Sequence, residues 1–431
     1  MKGLTYKDFL ETDYEPNKED LICEFFVKAD EFEKAAGGVA AESSIGTWDP
    51  DLKTFKPEIR DLGAKVFDID SEMGSKSGII KVAYPQVLFE PGNMPQILSS
   101  IAGNIFGMKL LDKLRLIDIS FPEEIVNSFR GPQMGISGIR EFTEIEERPL
   151  VGTIVKPKVG LDHKEHSTVA YDSWKGGLDL VKDDENLSNM SFNRFKKRVK
   201  QTFTKRRRAE EETGERKFYM PNITSKVSSM KKRADLVIEE GGEYVMIDIV
   251  TCGWSALQEM RDYLEGKDIA IHAHRAGHAA FTRDDQHGIS MMSVAKISRL
   301  IGVDQLHIGT AGIGKMKGGE NEVLEIEKEI ENPRILAHKH VLNQSWHGKK
   351  KTLAVASGGL HPGVVGGLIN SMGTDIVIQA GGGVHAHPDG TESGAKAMRQ
   401  AVETYMGSES LEEAKKEKKE LGKAVKKWGT S

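Results

Sequence analysis

The chain has 431 residues, of which 38% are hydrophobic and 29% charged, and its net charge is −5. That length suits a barrel of about 250 residues with one accessory domain, and the composition is that of a globular chain able to enclose a large core. The near balance of charge argues against any nucleic-acid or membrane partner.

The basic run 205–208 is answered by Glu210, Glu211 and Glu212, so it reads as a solvated helix face. Two cysteines, Cys23 and Cys252, cannot form a disulfide framework and suit a reducing compartment. The first twenty residues lack an apolar run of signal-peptide length, and no stretch approaches the ~18 apolar residues of a membrane span. A cytoplasmic protein is expected.

Residues 1–131 carry scattered aromatics and little strand–helix alternation, and read as a smaller α+β domain. Residues 132–431 read differently. Short apolar, β-branched runs at 151–155, 178–181, 218–223, 244–250, 269–273, 305–308, 353–356 and 376–379 alternate with amphipathic stretches such as 228–240, 256–264, 289–301 and 362–373. Eight strands with eight crossovers predict an α/β fold, a (β/α)8 barrel, followed by a Lys/Glu-rich helical tail after Gly407.

Nearly every run ends in polar residues or glycine: Lys156-Pro157-Lys158, the stretch 182–185, Asn222, Asp248, the stretch 272–275, His307, Ser357-Gly358-Gly359 and Gly381-Gly382-Gly383. Barrel enzymes place their chemistry at strand C-terminal ends, so this distribution points to an enzyme.

The most informative run is Lys182-Asp183-Asp184-Glu185. Strand alternation turns Lys182 and Asp184 to one face and Asp183 to the other, and a turn brings in Glu185. Two carboxylates make a hard oxygen site suited to Mg²⁺, but an ammonium beside them would repel the metal. Carbamylation of the amine by CO₂ converts that cation into an anionic oxygen ligand. By itself the run also reads as a salt-bridged surface cluster. Lys156 and Lys158 share a face around Pro157, and paired lysines are expected to lower each other's pKa. His274-Arg275 and His307 end two further strands, and arginine's planar fork suits a phosphate. Glycines after the last two strands let backbone N–H groups approach an anion. His385 and His387 have metal-like spacing but are not read as ligands.

Together these segments resemble the ribulose-1,5-bisphosphate carboxylase/oxygenase (RuBisCO) large subunit of form III, the archaeal type. The resemblance runs from about residue 19 to 405. It implies Mg²⁺ held by carbamylated Lys182 with Asp184 and Glu185, and Lys156, Lys182, His274 and Lys315 as catalytic groups. Lys315 lies in the glycine-rich run 309–316, which resembles the family's mobile sixth loop. Lys158 would contact substrate, Arg275, His307 and Ser357 one phosphate, and Gly359, Gly381 and Gly382 the other, with Gly358 and Gln379 beside them. Ile154 stands where plant-type members carry threonine.

The segments around Glu42, Thr47, Trp48 and Asn104 resemble those that reach into a partner's barrel, which implies a homodimer with shared sites and no small subunit. The implied reaction adds CO₂, or O₂ in competition, to ribulose 1,5-bisphosphate through an enediolate held by Mg²⁺, and carboxylation yields two molecules of 3-phosphoglycerate. The form III resemblance implies substrate drawn from AMP and nucleoside salvage. The rival readings are a RuBisCO-like enolase or isomerase and a non-catalytic sugar-phosphate binding protein. The first typically replaces residues of the sixth loop, the phosphate clamps or the N-terminal segment, all of which this chain keeps. The second needs no charged constellation on five strands.

Overall fold

The structure, a computed structural model, describes residues 4–46, 49, 51–313 and 319–430. Its strands begin with β1 (Leu21–Lys28), β2 (Lys65–Asp70), β3 (Ser77–Tyr84) and β4 (Lys113–Ser120). Next come β5 (Leu150–Ile154), β6 (Leu180–Lys182), β7 (Phe218–Met220), β8 (Tyr244–Asp248) and β9 (Ala270–His274). The series ends with β10 (Gly288–Ile289), β11 (Gln305–His307), β12 (Arg334–Ile335), β13 (Gln344–Ser345), β14 (Leu353–Ser357) and β15 (Ile376–Gln379).

The chain forms two compact units. The first comprises Met1–Arg130, Gly277–Ile301 and Asn332–Lys349, and the second Gly131–Ala276, Gly302–Glu331 and Lys350–Ser431. Two segments numbered with the barrel therefore group with the N-terminal residues.

In the first unit, β1, β2, β3 and β4 form an antiparallel sheet to which β10 adds as a parallel edge strand, in the order β10-β4-β1-β3-β2. Along β1, Leu21, Cys23, Phe25 and Val27 are all fully buried, the period-two pattern of a strand with one face on a core. A buried ion pair pins the inserted segments to this sheet. Lys296 Nζ lies 2.7 Å from Asp118 Oδ1 and donates to Ile119 O, while the Leu342 N–H donates to Asp118 Oδ2.

In the second unit eight parallel strands run in the order β7-β6-β5-β15-β14-β11-β9-β8. The seam between β7 and β8 closes just past the end of β7. There the Met246 N–H donates to Pro221 O and the Ile223 N–H to Met246 O, forming a bridge from Asn222 to Met246. Each of the eight apolar runs supplies one strand, and residues buried on both sides explain why they read as continuous β-branched and apolar stretches. The run 244–250 is shorter than expected. The strand stops at Asp248, and Ile249–Cys252 is a helical turn despite its β-branched residues.

The interior cluster contains Leu150, Leu180, Phe218, Tyr244, Ala270 and Leu353, each the first residue of its strand, together with Ile136 and Ile139 of the helix Gly135–Thr143. That helix plugs the N-terminal end of the barrel. Buried Asp304 accepts hydrogen bonds from the N–H groups of Met134, Gly135 and Ile271, so its charge sits at the start of the plug helix, where the dipole favours an anion. With that end filled, polar side chains collect at the opposite, C-terminal end.

Candidate active site

Strand β6 ends at Lys182, and the chain turns at once, the Leu187 N–H bonding back to Asp184 O. The turn is fixed from behind by Asp183. Its buried carboxylate accepts hydrogen bonds from Tyr219 Oη at 2.6 Å, Arg198 Nε at 3.1 Å and the Asn222 N–H at 3.0 Å, with His166 Nε2 3.1 Å away. Burial alone would raise the Asp183 pKa, but Arg198 and His166 more than reverse this and hold it well below the carboxylate range. From in front, the Asn222 side chain donates to Glu185 O at 3.0 Å. Asp183 thus faces a structural network with His166 and Arg198 of the neighbouring helices, while its neighbours face the mouth.

There Lys182 is wholly buried, and its Nζ makes one hydrogen bond among the described residues, to Asp183 O at 2.7 Å. Desolvation lowers its pKa, and the nearby charges of Glu185, Asp248 and Asp184 offset that only in part. Asp184 is buried too. Lys156 Nζ lies 2.7 Å from its Oδ2, and the Asn186 backbone and side-chain nitrogens donate to its Oδ1 at 3.1 and 3.0 Å. Burial pushes the Asp184 carboxyl up, but these hydrogen bonds win and hold it below its ordinary range. Glu185 is likewise lowered: burial opposes ionisation, and the charges of Lys182 and His274 overcome it.

Lys158, which is exposed, reaches Glu185 Oε1 at 3.2 Å. The expectation that Lys158 is depressed by its neighbour is corrected here. Lys156 and Lys158 engage different carboxylates, and the charge of Glu185 raises Lys158.

His274 ends β9, with its Nδ1 2.6 Å from Asp248 Oδ1 and its Nε2 3.8 Å from Glu185 Oε2. Asp248, the last residue of β8, orients this ring. Sequence reading noted its place at a strand end but gave it no role. His307 packs edge-on to His274 with ring centres 4.9 Å apart and bonds through Nδ1 to Ser357 Oγ at 2.7 Å. Burial and the neighbouring histidines lower its pKa well below the usual value. Arg275 is half-buried, and desolvation brings it to about 10.

Gly358 and Gly359 turn the chain after β14 with φ of 117° and 84°, a region that favours glycine. A Cβ at Gly381 would lie 3.1 Å from Lys156 Cε, so that glycine leaves room for the lysine. Gln379 is fully buried; its Nε2 lies 3.8 Å from Met220 Sδ and its Oε1 has no hydrogen-bond partner among the described residues. His385 bonds to Thr153 Oγ1 and Ile154 O, and His387 to Glu420 O, so the two do not converge.

The second unit therefore brings together Lys156, Lys158, Lys182, Asp184, Glu185 and His274, with His307 beside His274 and Ser357 on His307. In the first unit, Glu42 ends the helix Phe32–Glu42 and accepts a hydrogen bond from Tyr6 Oη at 2.8 Å, and Asn104 is exposed at the start of a short 3-10 turn. Thr47, Trp48 and Lys315 lie outside the described residues.

Among the described residues no three His, Cys, Asp or Glu side chains form a metal-binding group. Within the mouth the Asp184 and Glu185 carboxylates and the Lys182 amine form a donor set that becomes three hard oxygen ligands once that amine is carbamylated. A lysine with a lowered pKa is suited to that step, because only the neutral amine adds to CO₂. Asp184 and Glu185, both held below the ordinary carboxylate range, complete a set that fits Mg²⁺.

The family model for the ribulose bisphosphate carboxylase large chain catalytic domain matches residues 135–428, and that for its N-terminal domain residues 8–125. The ribulose bisphosphate carboxylase of Methanocaldococcus jannaschii is 51% identical over 427 residues, covering 98% of this chain and 100% of that protein. The enzyme of the same name from Pyrococcus abyssi is 49% identical over 431 residues, covering 100% of this chain and 98% of that one. Among solved structures, the dimeric archaeal Rubisco of Hyperthermus butylicus superposes with a TM-score of 0.93 at 44% identity, covering 99% of this chain and all of that one. The octameric enzyme of Pyrococcus horikoshii superposes with a TM-score of 0.92 at 46% identity, covering 100% and 98%. No helix among the described residues is long and apolar enough to cross a membrane. With both family models matched and close relatives aligned over nearly their full length, the chain belongs to the ribulose bisphosphate carboxylase large-chain family and is a carboxy-lyase.

Proposed function

We propose that this chain is a form III enzyme that carboxylates ribulose 1,5-bisphosphate to two 3-phosphoglycerate, with O₂ competing for the same intermediate, after carbamylation of Lys182. The observation that carries the reading is Lys182 itself: fully buried, its pKa lowered, its amine donating one hydrogen bond among the described residues, and Asp184, Glu185 and Asp248 nearby. Its neutral amine adds to CO₂, forming an N–C bond and releasing a proton. That carbamate with Asp184 and Glu185 would hold Mg²⁺, which would supply Lewis-acid polarisation of the substrate's ketone and hydroxyl oxygens.

The chain's own groups divide the remaining work. Lys182, once carbamylated, takes the C3 proton, and C2 then attacks CO₂. His274, held by Asp248, moves protons during hydration, and Lys315 stabilises the new carboxylate. Lys156 protonates the carbanion left by carbon–carbon cleavage. Arg275, His307 and Ser357 bind one phosphate and Gly359, Gly381 and Gly382 the other, while Lys158, Gly358 and Gln379 complete the substrate contacts. Glu42, Thr47, Trp48 and Asn104 act across a homodimer in the partner's site, and no small subunit is needed.

Ribulose bisphosphate with labelled CO₂ tests the activity: labelled 3-phosphoglycerate is expected, and its absence refutes the reading. The shared site has its own test. Glu42→Gln and Lys182→Ala chains are each nearly inactive, whereas their mixed dimers recover activity because one of their two sites is intact. A source in AMP salvage predicts that AMP, phosphate and labelled CO₂ yield labelled product in cell lysate only when this protein is present. If ribulose 5-phosphate plus ATP feeds the product and AMP does not, the salvage assignment falls and the carboxylase stands.

A further inference from the structure

Five groups form one hydrogen-bonded line from the barrel interior to the mouth. Gln305 Nε2 lies 2.9 Å from Tyr244 Oη, and Gln305 Oε1 2.7 Å from His272 Nδ1. His272 Nε2 lies 2.9 Å from His307 Nε2, and His307 Nδ1 2.7 Å from Ser357 Oγ. Tyr244, Gln305 and His272 are completely buried and His307 nearly so. Burial brings His272 down to about 3 and His307 far below its usual value, so both rings are neutral. A neutral imidazole has one N–H and one bare nitrogen. Every group must therefore pass its hydrogen the same way, and the line has a direction.

The positions of the heavy atoms admit two directions, set by which end of the Gln305 amide faces His272. With Oε1 toward His272, that ring carries its hydrogen on Nδ1, His307 on Nε2, and Ser357 must give its hydrogen to His307. Tyr244 then accepts from the amide, and its own buried hydrogen has no other acceptor among the described residues. Turning the amide over leaves its shape unchanged and gives the Tyr244 hydrogen an acceptor. Tyr244 donates to Oε1, Nε2 donates to His272 Nδ1, His272 Nε2–H to His307 Nε2, and His307 Nδ1–H to Ser357 Oγ. A buried hydroxyl hydrogen without an acceptor is costly, so the second direction is favoured. It leaves the Ser357 hydrogen facing the mouth, whereas the first turns only lone pairs toward an anion there.

We propose that Gln305, oriented by Tyr244, is a positioning residue that sets the direction of this line so that the Ser357 hydroxyl donates to a substrate phosphate. The inference rests on the phosphate role proposed above for Ser357. Gln305 acts through the two histidines, its side chain enclosed in the barrel, and His307 then serves the phosphate through Ser357, both of its ring nitrogens being engaged in the line.

Nitrogen-15 NMR of histidine-labelled wild-type protein reads the direction, with signals assigned by His272→Gln and His307→Gln variants. Hydrogen on His272 Nε2 and His307 Nδ1 is expected; hydrogen on His272 Nδ1 and His307 Nε2 overturns the proposal. In kinetics, Gln305→Met should raise KM for ribulose bisphosphate about ten- to hundred-fold, the range of one hydrogen bond to a charged group, with kcat within about threefold of wild type. Tyr244→Phe should act in the same direction more weakly. The Gln305→Met effect should vanish in a Ser357→Ala background, since the two act through one contact. A Gln305→Met enzyme with lowered kcat and unchanged KM shows a merely structural residue and ends the proposal. Absence of turnover by wild type removes the functional reading whatever the tautomers, while turnover with the wrong tautomers removes only this inference.

Discussion

Lys182 in the barrel and Lys296 in the N-terminal unit are both fully buried beside carboxylates, yet their surroundings differ in kind. Lys296 lies within 2.8 Å of both oxygens of Asp118 and also donates to Ile119 O. Lys182 has carboxylates nearby, but its one described hydrogen bond goes to a backbone oxygen, and the carboxylates are engaged by Lys156, Lys158, His274 and Asn186. A buried amine that is fully paired holds segments together. One whose partners are taken by others is lowered toward neutrality and stays reactive. The difference lies in who occupies the neighbouring carboxylates, not in burial.

Five substitutions bear on this contrast. Lys182→Met keeps volume and removes the amine. It should abolish carboxylation, by more than about 10³-fold, the scale of losing an essential metal-holding group. The melting temperature should hold or rise, because a poorly paired buried amine contributes little to stability. A Lys182→Met protein that unfolds would place Lys182 in the same class as Lys296. Lys296→Met should do the reverse, costing about 3–5 kcal/mol in denaturant unfolding because Asp118 is left buried without its cation, with kcat of the folded fraction preserved. Adding Asp118→Leu should recover much of that loss, and failure to do so would mean that the pair does more than neutralise itself.

Asp248→Asn tests whether the partners of a reactive group matter as much as the group. It should lower kcat about 10²-fold by releasing the His274 ring, with little change in KM. The smallest effect concerns Glu327 on the helix Glu320–Glu331, a buried carboxyl whose Oε1 has no hydrogen-bond partner among the described residues. Burial raises its pKa from 4.5 to about 8. The folded state binds the extra proton, so the stability contribution is complete below about 4.5 and is lost as pH rises toward 8. Glu327→Gln should flatten that slope and stabilise the protein at pH 8 by on the order of 2 kcal/mol. Thermal melts across about pH 3.5 to 9, roughly one unit beyond each limb, check it.

The barrel was legible because parallel strands buried on both faces must be apolar and β-branched along their length. All eight runs at 151–155 through 376–379 supplied strands. Local preference misled at Ile249 and Val250, which read as strand but follow Asp248 into the helical turn Ile249–Cys252. The two-residue strand β10 leaves no periodic signal at all, since its assignment comes from pairing with β4. In the site, residues at the mouth announce themselves as charges at strand ends. The layer behind them does not: Gln305 and His272 look like core polar residues until their bonds to Tyr244 and His307 are traced. The lysine pair shows the limit of spacing arguments. Lys156 and Lys158 share a face, but which carboxylate each one meets depends on the turn after β6, three-dimensional information that a dipeptide does not carry.

The central claim is that the isolation of Lys182 serves its reaction with CO₂. The most direct measurement is carbon-13 NMR of the enzyme, stripped of CO₂ and then given labelled CO₂ with Mg²⁺, alongside assays begun from the stripped state. The account predicts a carbamate resonance that is present in wild type and absent in Lys182→Met, rising with the same time course as a lag in carboxylation. Immediate full-rate turnover by stripped enzyme, or a carbamate signal that survives Lys182→Met, would contradict it.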